Sequence, residues 1–237
     1  MSGTLITAHN GADGTPENSM EYVRHALASG ADILEIDIRK VPDGTLVFTH
    51  DLPADLSFDS AKTGDSGCSG LLPVSDVFLA LKESTKRINC DLKEPNLEED
   101  VAALAARCGV SDRILFSGTV SAGRCRESGL TGRVEILLNI EEYIPGLYDR
   151  CREDAAQIPM AAREICGICR HYGIGCVNAN YHLATDPFID ILMSEKIGLS
   201  VWTVNSPAEA AHFLGRGVYS LTTRNLKEIL ALRKDAP

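Results

Sequence analysis

Six side chains able to move protons or hold cations stand at or near the ends of short apolar runs in the N-terminal part of the chain. His9 follows Leu5-Ile6-Thr7-Ala8 and precedes Asn10-Gly11, a pair that favours tight turns. His50 closes "TLVFTH", Glu35 and Asp37 lie in "ILEIDIRK", and Asp91 and Lys93 lie in "INCDLKEP". Alternate strand residues share a face, so Glu35 and Asp37 point one way with Ile33 while Leu34, Ile36 and Ile38 point the other. Adjacent inward carboxylates are costly unless paired or bound to a cation. An all-oxygen set suits Mg²⁺ or Ca²⁺ better than zinc. The strand alone leaves a second reading equally open, in which both carboxylates are salt-bridged to Arg or Lys. Asp91 is the candidate third carboxylate and Lys93 the candidate phosphate-binding cation, against the plainer reading of a buried Asp–Lys pair. Two histidines can divide acid and base roles near neutral pH, each contributing about 10²- to 10⁴-fold. His25, His171, His182 and His212 fall mostly on predicted helices or loops and read as structural.

These residues need elements to hold them. Strand-like runs are "TLITAH", "ILEIDIRK", "TLVFTH", "RINCDLK", "RILFSG", "VEILLNI", "GCVNANY", "LSVWTVN" and "YSLTTR". Helical patterns lie between them: "SMEYVRHALAS", the acid-led "LEEDVAALAARC", "PMAAREICGICRHYG" ending on Gly173, "DPFIDILMSEKIG" ending on Gly198, and "SPAEAAHFLGRG" with Pro at its first turn. Repeated strand–helix units predict a parallel sheet with helices outside. Pro42-Asp43-Gly44 is a turn between two strands, so "ILEIDIRKVPDGTLVFTHD" is a hairpin-like addition. About eight units remain, which predicts a TIM (β/α)8 barrel with a small hairpin insertion after strand 2, as one domain over 1–237. A doubly wound open sheet is the alternative. The Gly/Ser-rich stretch 60–70 reads as a mobile loop.

The remaining composition narrows the partners. The 237 residues are 44% hydrophobic, enough for a sizeable core. A formal charge of -10 argues against non-specific nucleic-acid binding, and an anionic substrate would need local positive charge. No run of about 18 apolar residues predicts a membrane span. The opening "MSGTLITAHN" lacks a basic segment before a long apolar one, so a signal peptide is not predicted and a cytoplasmic location is. The eight cysteines then read as free thiols. Cys166 and Cys169 form a C-x-x-C on a helix face; zinc is one reading, but a four-ligand site usually draws on two such pairs, and packed thiols are the other.

The segment "AHNG…PENSMEYVRHALASGADILEIDIRKVPDGTLVFTHD" resembles the opening of the glycerophosphodiester phosphodiesterase family over residues 8–51. That family shows His-Arg-Gly, Pro-Glu-Asn-Thr, Gly-Ala-Asp, a Glu-x-Asp strand, an Asp-Gly turn and His-Asp. "CDLK" is similar to its Glu-x-Lys strand and "VWTVNSPAEAAHFLGRGV" to its Trp-Thr-Val-Asn strand and following helix; residues 100–195 match in layout only. The resemblance implies a TIM barrel that hydrolyses a small-molecule glycerophosphodiester to glycerol 3-phosphate and an alcohol. It implies His9 and His50 as the acid–base pair, with Glu35, Asp37 and Asp91 on one divalent cation, Mg²⁺ or Ca²⁺. Lys93 would hold the phosphate and Trp202 would line the pocket. The attacking oxygen would belong to water or to the substrate's own glycerol hydroxyl.

Three positions depart from that pattern. The Arg after the first histidine is Asn10, the Glu of Glu-x-Lys is Asp91, and the Asp ending the last strand is Arg224. Losing a guanidinium fork at position 10 removes a group suited to phosphate. First and last strands are neighbours in a closed barrel, so Arg224 would reach over Asn10 and supply the missing guanidinium; a solvated Arg224 before the last helix is the alternative. Another phosphodiester (a lysophospholipid, or a sugar or inositol phosphodiester) and a non-catalytic phosphate-binding barrel are the competing functions.

Overall fold

The computed structural model describes residues 3–53 and 70–235. All but the last residue of the stretch 60–70 lies outside them, as does Cys68. Among the described residues ten strands follow in chain order: β1 (Leu5–Ala8), β2 (Ile33–Lys40), β3 (Leu46–Phe48), β4 (Leu72–Pro73), β5 (Arg87–Leu92), β6 (Ile114–Gly118), β7 (Glu135–Asn139), β8 (Cys176–Asn180), β9 (Gly198–Trp202) and β10 (Ser220–Thr223). The helices among them are α1 (Met20–Ala28), α2 (Val74–Lys82), α3 (Glu98–Cys108), α4 (Ala122–Glu127), α5 (Leu147–Glu153), α6 (Ile158–Tyr172), α7 (Asp186–Ser194), α8 (Pro207–Arg216) and α9 (Leu226–Asp235).

Eight of the strands are parallel and close on themselves. Thr7 of β1 pairs with Thr222 of β10 on one side and with Ile33 of β2 on the other. This is the TIM barrel, not the open sheet. β3 runs antiparallel to β2, with Ile38 opposite Phe48, and β4 runs antiparallel to β3. The hairpin therefore hangs from strand 2, turning through Gly44 at φ 92°, a conformation glycine tolerates best.

The alternation in β2 is as its sequence implies. Leu34, Ile36 and Ile38 are fully buried against the helix layer, while Ile33 joins Leu115, Leu137 and Cys176 in a small apolar floor inside the barrel. Burial of each such side chain stabilises by about 1.5–3 kcal/mol, which offsets the cost of the carboxylates on the opposite face. Beneath the floor Arg87 bonds Glu135 and the Tyr219 hydroxyl, closing the N-terminal end. Above it the inward residues turn polar: Thr7, Glu35, Asn89, Ser117, Asn178, Ser200 and Thr222 are all buried.

Ser19 caps α1 by accepting from the Tyr22 N–H. α7 ends at Ser194 rather than at Gly198, which instead opens β9; Lys196 supplies the left-handed turn between them at φ 59°. Cys166 and Cys169 lie on the buried face of α6, where burial pushes both thiols up, Cys169 to about 12. Among the described residues no helix is long and apolar enough to cross a membrane.

Candidate active site

All nine residues singled out from the sequence line one cavity of about 370 Å³ at the C-terminal mouth of the barrel: His9, Asn10, Glu35, Asp37, His50, Asp91, Lys93, Trp202 and Arg224. β1 delivers His9, β2 delivers Glu35 and Asp37, and β5 delivers Asp91 and Lys93. In the barrel register Asp37 pairs directly with Asp91.

Glu35, Asp37 and Asp91 offer oxygens that all lie within 4.8 Å of one another. Burial, reinforced by the charges of Asp37 and Asp91, raises the Glu35 pKa well above the carboxylate range. Burial also raises Asp91, against the pull of Lys93. Lys93 Nζ lies 2.8 Å from both Asp37 Oδ1 and Asp91 Oδ2. Burial alone would lower the lysine, but Asp91 and Asp37 outweigh it and raise its pKa. One lysine cannot balance three carboxylates, and Asp91 Oδ1 is buried without a hydrogen-bond partner. Converging hard oxygens with an orphaned lone pair fit a divalent cation.

Asn10 is 1% exposed, and its side chain is fully engaged. Its amide nitrogen donates to Asp37 Oδ2 at 3.0 Å and to Asn18 Oδ1 at 2.8 Å, its side-chain oxygen accepts from the Asn18 N–H, and its backbone N–H donates to Glu35 Oε2 at 2.9 Å. It therefore orients two of the three carboxylates. Tyr22 supports the same region from α1: its hydroxyl lies 2.7 Å from the Ala8 carbonyl and 2.8 Å from the Glu35 carbonyl, tying β1 to β2.

His9 and His50 are held differently. Arg224 Nε donates to His9 Nδ1 at 2.8 Å, and its Nη2 reaches Glu17 Oε1 at 2.8 Å. The Asn10 carbonyl lies 3.1 Å from the same His9 nitrogen and would need a proton there. An arginine only donates, and its contact is shorter, so Nδ1 acts as acceptor and the proton sits on Nε2. Burial lowers the His9 pKa; the Asn10 carbonyl and Asp37 oppose this, while Arg224 and Lys93 add to it. His50 is mostly exposed, and its Nδ1 donates to Asp51 Oδ2 at 2.9 Å, which leaves Nε2 as the acceptor. Trp202 projects from the end of β9, its indole N–H buried without an acceptor.

Several wall residues carry no local sequence motif. Asn178 donates to Asn139 at 2.7 Å and Asn89 to Ser117 at 2.9 Å, forming polar pairs below the mouth. Their signal is only an Asn or Ser on the inward face of a strand. Gly118 is the sharper case: a Cβ there would lie 2.1 Å from Asp91 Oδ1. Its "SG" at a strand end is readable as a turn but not as a neighbour of Asp91.

A model of the glycerophosphoryl diester phosphodiesterase family matches residues 9–137. The chain belongs to this family. A glycerophosphodiester phosphodiesterase of Bacillus altitudinis is 33% identical over 140 residues, 48% of this chain and 57% of the relative. The chain thus spans little more than half the length of that relative. In fold it is similar to a glycerophosphodiester phosphodiesterase from Parabacteroides distasonis (TM-score 0.73, 18% identity, 98% of each chain covered). It is likewise similar to an Oleispira antarctica phosphodiesterase solved with the product sn-glycerol-3-phosphate (TM-score 0.71, 16% identity, 99% of this chain and 98% of that one). Against the family pattern, the position of the expected arginine is occupied by Asn10, bonded to the carboxylates, and a guanidinium from Arg224 stands at the same mouth.

Proposed function

We propose that the protein is a metal-dependent hydrolase of glycerophosphodiesters, releasing glycerol 3-phosphate and an alcohol. The observation that carries this reading is the convergence of three carboxylates, Lys93 and two histidines on one barrel-mouth cavity, in a chain of this family. Glu35, Asp37 and Asp91 would hold one divalent cation, Mg²⁺ or Ca²⁺. When bound, the cation supplies positive charge to the phosphoryl oxygens and lowers the cost of charge developing in the transition state. Asn10 acts by orienting Glu35 and Asp37. Lys93 and Arg224 bind phosphate oxygens, and Trp202 flanks the glycerol or alcohol group.

The hydrogen bonds divide the proton chemistry. Asp51 accepts from His50 Nδ1, so His50 Nε2 takes the proton of the attacking oxygen. His9 gives its Nε2 proton to the departing alcohol oxygen as the imidazolium, whose Nδ1–H turns from Arg224 to the Asn10 carbonyl 3.1 Å away, so that the ring is left neutral with its proton on Nδ1. Seven unpaired thiols among the described residues support a reducing compartment, the cytoplasm.

The test is incubation with glycerophosphocholine, glycerophosphoethanolamine, glycerophosphoglycerol and glycerophosphoinositol, with Mg²⁺, Ca²⁺ or chelator, and assay of glycerol 3-phosphate. Cation-dependent release is expected. Release of an alcohol phosphate instead, or no turnover with any cation, overturns the reading.

A further inference from the structure

Five carboxylates line the cavity, and four of them have partners. Glu17 pairs with Arg224, Asp37 and Asp91 pair with Lys93, and Glu35 accepts from the Asn10 N–H. The fifth, Glu142, has no hydrogen bond or ion pair among the described residues. Burial, and the charge of Glu142 beside it, raise the pKa of the neighbouring Glu141. With one divalent cation bound, Lys93 and Arg224 complete the balance against the other four carboxylates. Among the described residues Glu142 is then the uncompensated carboxylate of the mouth.

Glu142 is also held in place. It ends the one-turn helix Ile140–Glu142 that follows β7. Ile140 and Ile144 on either side are buried. Next to it, the Tyr143 hydroxyl donates to the Val120 carbonyl at 3.0 Å and accepts from the Ala122 N–H at 2.7 Å. The carboxylate is thus presented to solvent and cavity from an anchored turn. β7 stands across the barrel from β1, which carries His9, and Trp202 of β9 lines the cavity as well.

We infer that Glu142 recognises a positively charged nitrogen on the alcohol of the diester, so that the site prefers zwitterionic substrates with an ammonium or quaternary ammonium head over those with a neutral alcohol. This rests on the phosphodiesterase reading above and names the substrate class within it. A diester with a neutral alcohol brings its phosphate charge into a mouth that already holds an unpaired carboxylate. A zwitterionic diester places its own cation beside that carboxylate, in a cavity that Trp202 also lines. Because Glu142 is exposed, the preference is screened by salt over about 8 Å at physiological ionic strength.

The experiment compares glycerophosphocholine with glycerophosphoglycerol on the cation-loaded enzyme and its Glu142→Gln, Glu142→Lys and Glu142→Asp variants. The ratio of kcat/KM for the two is expected to fall about fivefold or more in Glu142→Gln, through KM, and further in Glu142→Lys, while Glu142→Asp keeps most of it. A second readout needs no turnover. Trp202 is the chain's single tryptophan. Its emission is followed as choline chloride is titrated into metal-free protein, against sodium chloride at equal ionic strength. A choline-specific change that weakens in Glu142→Gln supports the inference. An unchanged ratio in Glu142→Gln and Glu142→Lys, or a choline response indifferent to both, overturns it. No turnover of either diester, with a Glu142-dependent choline response intact, overturns the phosphodiesterase reading and leaves the cation site standing.

Discussion

Nε of Arg224 donates to Nδ1 of His9 across 2.8 Å, joining the last barrel strand to the first. The contact gives His9 a permanent positive neighbour and so helps, with burial, to lower its pKa. A lowered pKa means that His9 stays neutral to lower pH than an ordinary histidine. Arg224→Ala removes one of the depressing charges, so the His9 pKa is expected to rise toward the ordinary range, although burial continues to hold it down. An NMR titration of the His9 ring carbon between the two nitrogens reads this directly. A midpoint that stays put or moves lower would show that Arg224 does not act on the ring. The same variant should weaken transition-state binding by about 1.5–3 kcal/mol, the range for a hydrogen bond to a charged group.

The division of labour proposed for the two histidines has its own signature. His9→Ala and His50→Ala should each lower turnover of an alkyl diester by at least about 10². A substrate whose leaving group is p-nitrophenol needs no proton on departure. With that substrate His9→Ala should recover most of its loss and His50→Ala should not. Recovery by His50→Ala instead would reverse the two roles.

A cation held by the carboxylate cluster would add to stability. An ion that binds only the folded state stabilises it by about 2.7 kcal/mol at a concentration of 100 Kd. Thermal unfolding of the chelator-treated protein should therefore shift upward when Mg²⁺ or Ca²⁺ is added. Asp91→Asn removes one of the three converging oxygens' charges and should abolish most of that shift. A full shift in Asp91→Asn would place the ion elsewhere.

Much of this arrangement is legible in the sequence. Strict alternation in β2 assigns Ile33, Glu35 and Asp37 to the interior because one face must meet the helices. The strand ends carrying His9, His50, Asp91 and Lys93 follow from the same logic applied to neighbouring runs. Elements with weak local patterns escape that logic. α4 and α5 have six and seven residues, too few for a 3.6-residue period to show, and the two-residue β4 depends wholly on its partner β3. The role of Asn10 is hidden for another reason. A sequence shows that an arginine is missing, but not that the replacement turns inward to Asp37 and Asn18. The role proposed for Glu142 is unreadable because it rests on the lack of a partner among the described residues, which only the folded mouth defines.

Gly118 offers the most local test of how the fold fixes the cluster. Its φ is +79°, and a Cβ there would stand 2.1 Å from Asp91 Oδ1 and 2.4 Å from the Leu92 carbonyl oxygen. β5 cannot yield easily, because Leu92 pairs with Gly118 and its carbonyl also accepts from Thr119 N–H at 2.7 Å. Gly118→Ala therefore combines backbone strain with displacement of a proposed metal ligand. The strain alone costs about 1–2 kcal/mol, or about 2–8 °C in melting temperature for a domain of this size. Gly109→Ala separates the two effects, since Gly109 has φ +75° and a Cβ on it would meet nothing within 4 Å. Both variants should melt earlier. Only Gly118→Ala should also lose the cation-dependent rise in melting temperature and the hydrolytic activity. Equal cation responses in the two variants would mean that Asp91 holds no ion, or that its position does not depend on the bare backbone of β6.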